Sequence, residues 1–315
     1  MDREAFLEAR KSGIGGSDIA AILGLSPWKT AVDVWLEKTG QAPDTEPNEA
    51  MYWGAVLENV VARHYRDTTG RRVQRVNSLL RHPQHEWAIG HIDRAVLAQG
   101  KRAMAKNGIL KGAEGILEVK TASAYKSGEW GRPDDEDAIP THYAAQAMWY
   151  LGITGLEWCD VPVLIGGQRY LCKRVERDDE TIRGMLERAE EFWFRHVVER
   201  IPPEPKTGED AIKLFPHDSG RTVEANIEAA AMLTRAKELK EQIKALEGEL
   251  EAALGGVKAY MADASAITLG GEVLATWKAQ TSNRLDTAAL RAAHPDIYAQ
   301  FLQPSETRVF RFKVA

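Results

Sequence analysis

The run Gly-Ile-Leu-Glu-Val-Lys-Thr-Ala-Ser over residues 115–123 constrains the fold more than any other stretch, because apolar and charged residues alternate inside it. Alternate side chains of a strand point to opposite faces, so Glu118 and Lys120 share one face while Leu117 and Val119 occupy the other. Such a strand belongs in a sheet with a packed layer on one side and a polar site on the other. A second strand is predicted over residues 89–97, where pairing can bring Asp93 beside Glu118. Adjacent carboxylates repel unless a cation lies between them. An all-oxygen donor set selects a hard ion, Mg2+ or Mn2+, which completes its shell with water and phosphate oxygens.

Residues 49–67 are predicted as a helix on which Met51, Ala55, Glu58, Ala62 and Tyr65 form one stripe, expected to face the core. A carboxylate in that stripe needs a metal ion, a lysine or a hydrogen-bond donor beside it. Two partners remain open for Glu58: an ion shared with Asp93 and Glu118, or an arginine such as Arg94. A Glu-x-Lys triplet alone has low specificity in a chain that is 28% charged, so the surrounding motifs must decide.

Upstream, Gly13, Gly15 and Gly16 allow a tight loop, and Ser17 or Asp18 can cap a short helix predicted over residues 19–23. Unpaired N–H groups at such a turn attract anions, and Arg10 and Ser17 add a guanidinium and a hydroxyl. A plain glycine turn with an ordinary cap accounts for the same residues. Downstream, Tyr143, Gln146 and Tyr150 fall on one face of a predicted helix, where the tyrosines either border a binding path or pack in the core.

Residues 10–40, followed in order by WGAVLE, GHID, LEVK and HYAAQAMWY, resemble the YqaJ-type viral recombinases, a family placed with the lambda-type alkaline exonucleases in the PD-(D/E)xK nuclease superfamily. The resemblance runs through residues 8–200. It implies an α/β, restriction-endonuclease-like core, a mixed central sheet flanked by helices, over residues 1–201. It also implies an Mg2+-dependent (Mn2+ possible) exonuclease with two ions per site, degrading linear double-stranded DNA from its ends, 5′ to 3′. The strand so exposed would serve a single-strand annealing partner in phage-type recombination. A ring-shaped homo-oligomer, often a trimer, belongs to the same expectation.

Residue by residue, the resemblance implies Asp93 and Glu118 as metal ligands with the Val119 carbonyl as a third. Lys120 orients or activates the attacking water, and Glu58 completes the site as an outer ligand or through water. Gln146 supports the lysine or the scissile phosphate, and Arg10, Gly16 and Ser17 bind the terminal 5′-phosphate. Tyr143 and Tyr150 stand as possible borders of the DNA path. The chain departs from the family pattern at Ile92, where proline commonly precedes the aspartate. Rival readings are an endonuclease or junction resolvase of the same superfamily, and a noncatalytic DNA-binding scaffold.

The net charge of −5 conceals an uneven distribution: residues 60–132 hold 14 Lys plus Arg against 6 Asp plus Glu, or 14 − 6 = +8. The acidic run 134–137 is expected as a surface loop, and the insertion 98–115 as a basic loop over DNA or a solvated excursion. Cys159 and Cys172 are expected as free thiols, too few for a four-cysteine cluster. His196 is read as a cap or surface residue, and His91 as a neighbour that hydrogen-bonds a carboxylate. No apolar run is long enough to span a membrane and the first residues lack a signal-peptide core, so a cytoplasmic protein is expected, in the bacterial host of a phage by the resemblance. No GxxxxGK[ST] loop is present.

Further helices are predicted over residues 30–39 and 181–199, with a hairpin of strands 161–165 and 168–175. Residues 202–222, rich in Pro, Gly and charge, read as a linker with one short helix. Residues 223–315 form the C-terminal extension: a long helix with apolar residues at Ala229, Met232, Ala236, Leu239, Ile243, Leu246, Leu250 and Ala253, weakening at Gly255 and Gly256, then a small α+β part. That part is expected to hold a hairpin of strands 266–269 and 273–279, a helix over 287–302 and a last strand over 307–314.

Overall fold

The structure is a computed structural model in which residues 8–42, 48–132, 135, 138–303 and 306–313 are described. The chain divides into two compact units, Met1–Leu214 and Phe215–Ala315. The first unit has the α/β, restriction-endonuclease-like architecture. Helices α1 (Gly16–Ile22), α2 (Ala31–Lys38) and α3 (Glu49–Thr69) lead into a mixed sheet built from β1 (Val73–Arg75), β4 (Arg94–Leu97), β7 (Ala113–Leu117), β9 (Trp158–Ile165) and β10 (Arg169–Glu176), in that order. Strand β8 (Lys120–Ala122) continues β7 beside β9. Both run parallel to β9, whereas the other pairings are antiparallel.

Two apolar layers cover this sheet. On one face Ile14, Ile19, Trp35, Ile116, Val161, Val163, Trp149 and Tyr150 pack with α1, α2, α4 (Thr141–Thr154) and α5 (Asp179–Glu191). On the other, Val61, Ala62 and Tyr65 of α3 meet Val96, Leu117 and Val119. The alternation read from the sequence thus holds: Leu117 and Val119 face α3, and Glu118 and Lys120 face the layer of α4.

Several boundaries differ from the sequence reading, each for a local reason. The strand expected over 89–97 is interrupted: β3 (Ile89–Gly90) pairs with β2 (Leu80–Arg81), and β4 begins only at Arg94, which leaves Asp93 just outside the ladder. Helix α3 is capped by Asn48, whose Oδ1 accepts from the Met51 N–H at 2.9 Å, and ends at Gly70 with φ 70°. Only its second half reaches the core, and Met51, expected to face inward, is 62% exposed. The basic insertion is a hairpin of β5 (Met104–Lys106) and β6 (Ile109–Lys111), turning at Asn107 (φ 53°) and Gly108 (φ 79°). Two successive positive φ values match the right-handed twist of paired strands. The helix expected over 181–199 is α-helical only to Glu191, and Phe192–Val198 winds as a π-helical turn. Of the acidic run 134–137 only Asp135 lies within the described residues.

The short helix expected in the linker segment is α6 (Gly208–Leu214), tied to α2. Thr30 Oγ1 donates to the buried Asp210 at 2.6 Å, and Lys213 pairs with Asp33 at 2.7 Å. In the second unit α7 (Ile227–Met261) continues through Gly255 and Gly256, and β11 (Ala266–Leu269) pairs with β12 (Glu272–Thr276). The helix expected over 287–302 is split into α8 (Thr287–Ala293) and α9 (Pro295–Gln300), because Pro295 has no N–H to continue the ladder. Residues 306–313 form no strand; none of the described strands pairs with them.

Candidate active site

Asp93 and Glu118 come together because β4 and β7 are antiparallel with Arg94 opposite Leu117. Continuing that register by one residue sets the two acids side by side where both strands stop. The Val119 N–H donates to Asp93 Oδ2 at 2.8 Å, and the Glu118 N–H donates to the Asp160 carbonyl at 2.9 Å. Lys120 Nζ donates to Glu118 Oε1 at 2.9 Å and to Gln146 Oε1 at 2.9 Å. Gln146 Nε2 donates to the same Glu118 oxygen at 2.8 Å and to Tyr150 Oη at 3.1 Å. Asp93, Glu118, Val119, Lys120 and Glu58 line one cavity of about 250 Å3 with Gly54, Ala55, Thr121 and Tyr143.

The electrostatics of this cluster follow from its burial. Burial, reinforced by the neighbouring Glu118, pushes the Asp93 carboxyl up to about 8. Burial works against the Lys120 ammonium, but Glu118 and Asp93 outweigh it and hold its pKa above the ordinary lysine value. Glu118 Oε2 is buried with no hydrogen-bond partner. A buried pair of acids with one proton to spare and one orphaned oxygen fits a divalent cation held by Asp93 and Glu118, with oxygen-only chemistry.

Glu58 is not gathered into that pair. Its Oε1 pairs with Arg94 Nη1 at 2.7 Å and accepts from Arg75 Nη2 at 2.9 Å. Arg94 in turn donates to the Asp93 carbonyl at 2.9 Å and to Asn59 Oδ1 at 2.6 Å. Glu58 therefore lines the cavity wall while clamped by arginines, and among the described residues no three His, Cys, Asp or Glu side chains are grouped to share an ion.

The two tyrosines separate. Tyr143 lies on the cavity with Lys120 Nζ 4.7 Å above its ring. Tyr150 is buried in the main core and supports Gln146 from beneath, so it does not border an open path. Gly16 is pressed against this support: an added Cβ would lie 2.7 Å from the Tyr150 ring and 2.9 Å from Gln146 Cγ. The glycine is needed for close packing, and it carries the N-terminal motif up to the active-site helix.

In that motif the capping acid is Asp18, whose Oδ2 accepts from the Gly15 N–H at 3.0 Å. Fully buried, it gathers Lys38 at 2.6 Å, Lys29 at 3.1 Å and Arg10 at 3.5 Å. Burial alone would raise its pKa, yet these three cations hold the carboxyl well below the usual range. Arg10 Nη2 also donates to the exposed Ser17 hydroxyl at 3.0 Å. Lys29 also pairs with Glu37 at 2.6 Å, so the cluster sets three cations against two acids.

Sequence reasoning missed an aromatic shelf at the cavity edge. Trp28, 68% exposed, stands edge-on to His142 at 4.7 Å, and His142 contacts Tyr143 at 4.1 Å. The tryptophan sits in the Leu-Ser-Pro-Trp turn of residues 25–28, where an exposed aromatic was the available signal. His196 is structural, its Nδ1 2.7 Å from the Ile201 carbonyl and its own carbonyl accepting from Trp35 Nε1 at 2.8 Å. His91 is half-buried and its pKa is lowered by burial and by Arg10 and Arg75. Cys159 and Cys172 are free. No helix among the described residues is long and apolar enough to cross a membrane.

Residues 5–157 match the family model of the YqaJ-like viral recombinase domain. The YqaJ protein of Bacillus subtilis (strain 168) is 35% identical over 324 residues, covering 99% of this chain and 95% of the relative. Among solved structures, an alkaline exonuclease from Laribacter hongkongensis superposes with a TM-score of 0.47 at 22% identity, covering 62% of this chain and 93% of that one. A phage-related exonuclease from Haemophilus somnus 129PT superposes with a TM-score of 0.44 at 14% identity, covering 60% and 96%. The ordered motifs, the sheet-end acids and a full-length relative at this identity lead to one assignment: the chain belongs to the YqaJ family of viral recombinases.

Proposed function

We propose that this chain is an Mg2+-dependent deoxyribonuclease that degrades linear duplex DNA from its ends, 5′ to 3′, for recombination by single-strand annealing. The observation that carries the reading is the buried Asp93–Glu118 pair beside Lys120, with Glu118 Oε2 left without a partner. A binding scaffold has no use for such a pair, because it costs stability unless a cation neutralises it. Asp93, Glu118 and the Val119 carbonyl would hold the ions, with Mn2+ able to replace Mg2+. The bound ions supply charge neutralisation at the scissile phosphate and a more acidic water.

The protein's own groups do the rest. Lys120, held as an ammonium by Glu118 and Asp93 and positioned by Gln146, orients the attacking oxygen beside the phosphate. Gln146 fixes the lysine and Glu118 in one geometry, while Glu58 keeps Arg94 locked against the Asp93 backbone. Arg10, with Gly16 and Ser17 beside it, receives the terminal 5′-phosphate. Family resemblance further supports a ring-shaped homo-oligomer, a trimer, and an annealing protein as partner in the cytoplasm of a phage host.

The test is incubation with Mg2+ of linear duplex labelled at either the 5′ or the 3′ end, alongside closed circular duplex. Early release of 5′ label with the circle intact is the expected result. Cutting of the circle would replace the exonuclease with an endonuclease, and no cleavage of either substrate would remove the catalytic reading.

A further inference from the structure

The second unit has almost no interior of its own. Among the described residues of Phe215–Ala315, Met261 alone is buried, while Ile243, Leu246 and Leu250 of α7 are each more than half exposed. A helix of 35 residues with a continuous apolar seam in water lacks the packing that ordinarily stabilises helices in proteins. Its apolar positions step by three and four alternately from Ala229 to Tyr260, the repeat of a two-stranded coiled coil. The flanking residues then decide which partner and which direction fit.

Writing Ile243 as position a and Leu246 as d puts Leu233, Lys240, Glu247 and Leu254 at e, and Arg235, Gln242 and Glu249 at g. If two copies run antiparallel with Ile243 opposite the partner's Leu246, Leu239 meets the partner's Leu250 and Ala236 meets the partner's Ala253. The small Ala229 then faces the large aromatic of the partner's Tyr260, so the end layers pair small with large. On the rim, e faces e: Lys240 meets the partner's Glu247, and Leu233 meets the partner's Leu254. Two-fold symmetry makes each of these contacts occur twice. A parallel arrangement sets g against e instead and brings Arg235 against the partner's Lys240, two like charges. Lys240 is exposed, with Nζ 5.4 Å from the Phe312 ring, and Glu247 is exposed as well.

We propose that α7 is the seam of an antiparallel coiled coil joining two copies of this chain, with Lys240 and Glu247 setting its direction. The association is a property of the second unit and does not depend on the nuclease reading. A ring formed through the first unit would be linked by these seams into a larger assembly.

The test is the mass distribution of the full-length protein against concentration, by sedimentation velocity or mass photometry. Wild type should show a doubling step. Lys240→Glu and Glu247→Lys should each weaken that step about ten-fold, since each turns two attractive contacts into two repulsive ones. The double variant should restore it, which also shows that the single variants fold. Oligomerisation through the first unit should not move in any variant. Absence of a doubling step in wild type would overturn the proposal, and the seam would then belong to a different protein. A stronger step in Lys240→Glu would overturn the antiparallel direction, and an unchanged step would remove the seam.

Discussion

Gln146 accepts a hydrogen bond from Lys120 through Oε1 at 2.9 Å while the same amide donates to Glu118 through Nε2 at 2.8 Å. One side chain thus fixes both partners of the Glu118–Lys120 ion pair. Losing a hydrogen bond to a charged group costs about 1.5–3 kcal/mol, which corresponds to roughly ten-fold to a hundred-fold in rate if the contact persists in the transition state. Gln146→Ala should lower kcat on linear duplex by that factor while DNA-end binding persists. Asp93→Ala, Glu118→Ala and Lys120→Ala should each abolish cleavage in a folded protein. Wild-type hydrolysis by purified Glu118→Ala would remove the assignment.

Asp93 gives the proposed metal site a pH dependence with a definite sign. Its carboxyl is ordinarily near 3.8 and is raised to about 8 by burial and Glu118, so without a cation the folded protein keeps a proton that the unfolded chain has lost. Stability of the metal-free protein should therefore fall as pH rises through that window. An Mg2+ ion must displace the proton, so its affinity should rise about ten-fold per pH unit and flatten above about pH 8. Calorimetric titration of Mg2+ between pH 6 and 9 measures this directly, and a flat affinity would show that Asp93 is already ionised.

Glu58 joins the catalytic cavity to the arginine clamp behind it. Its carboxylate is ion-paired with Arg94, which is 7% exposed at its side chain, and accepts from Arg75. Glu58→Gln keeps an acceptor but loses the charge, so we expect a stability loss of about 1–3 kcal/mol together with reduced cleavage as the Arg94 anchor on the Asp93 backbone loosens. Denaturant melts and activity per folded molecule separate the two effects. Full activity per folded molecule would make the residue purely structural.

Much of this site could be read in the chain because its chemistry is local. The alternation around Glu118 and Lys120 assigns both faces of a strand without knowledge of the rest, and the core confirms it by dividing Ile116 from Leu117 and Val119. The arginine partner of Glu58 was one of two open readings, since charge and spacing could not rank an ion against a guanidinium. What stayed hidden depends on contacts distant in sequence. The inward stripe of α3 fails at Met51 because no layer of the fold lies opposite that end, and Tyr150 is buried because Gly16, far away in the chain, closes over it. The hairpin at Asn107 and Gly108 was legible from its Asn-Gly pair and was passed over.

Asp18 is the hub on which the N-terminal motif depends, and its removal tests structure before function. Lys38, 2% exposed at its side chain, would be left as a buried ammonium without a counter-charge. Breaking one half of such a pair costs about 3–5 kcal/mol, so Asp18→Asn should melt far below wild type. Because the cations hold the folded-state pKa of Asp18 below its ordinary 3.8, this contribution should be intact at neutral pH and fade as pH falls below that value. Thermal melts of wild type and variant at pH 7 and in acid should converge as the carboxylate is protonated.

Arg10 carries the last expectation, because it reaches past the buried Asp18 to donate to the exposed Ser17 hydroxyl. A terminal phosphate can contact Arg10 and Ser17 without uncovering Asp18, which is fully buried. A charge-assisted contact of this kind contributes about 1.5–3 kcal/mol, enough to change initiation ten-fold or more. Duplexes with a 5′-phosphate should be degraded faster than matched 5′-hydroxyl ends. Arg10→Ala should erase most of the difference while Asp93, Glu118 and Lys120 remain competent on ends already engaged. Initial rates belong at one fixed salt concentration, since nonspecific DNA affinity itself varies steeply with salt. Equal wild-type rates on the two ends would end the phosphate-pocket reading, and a preference that survives Arg10→Ala would move the pocket to Lys29.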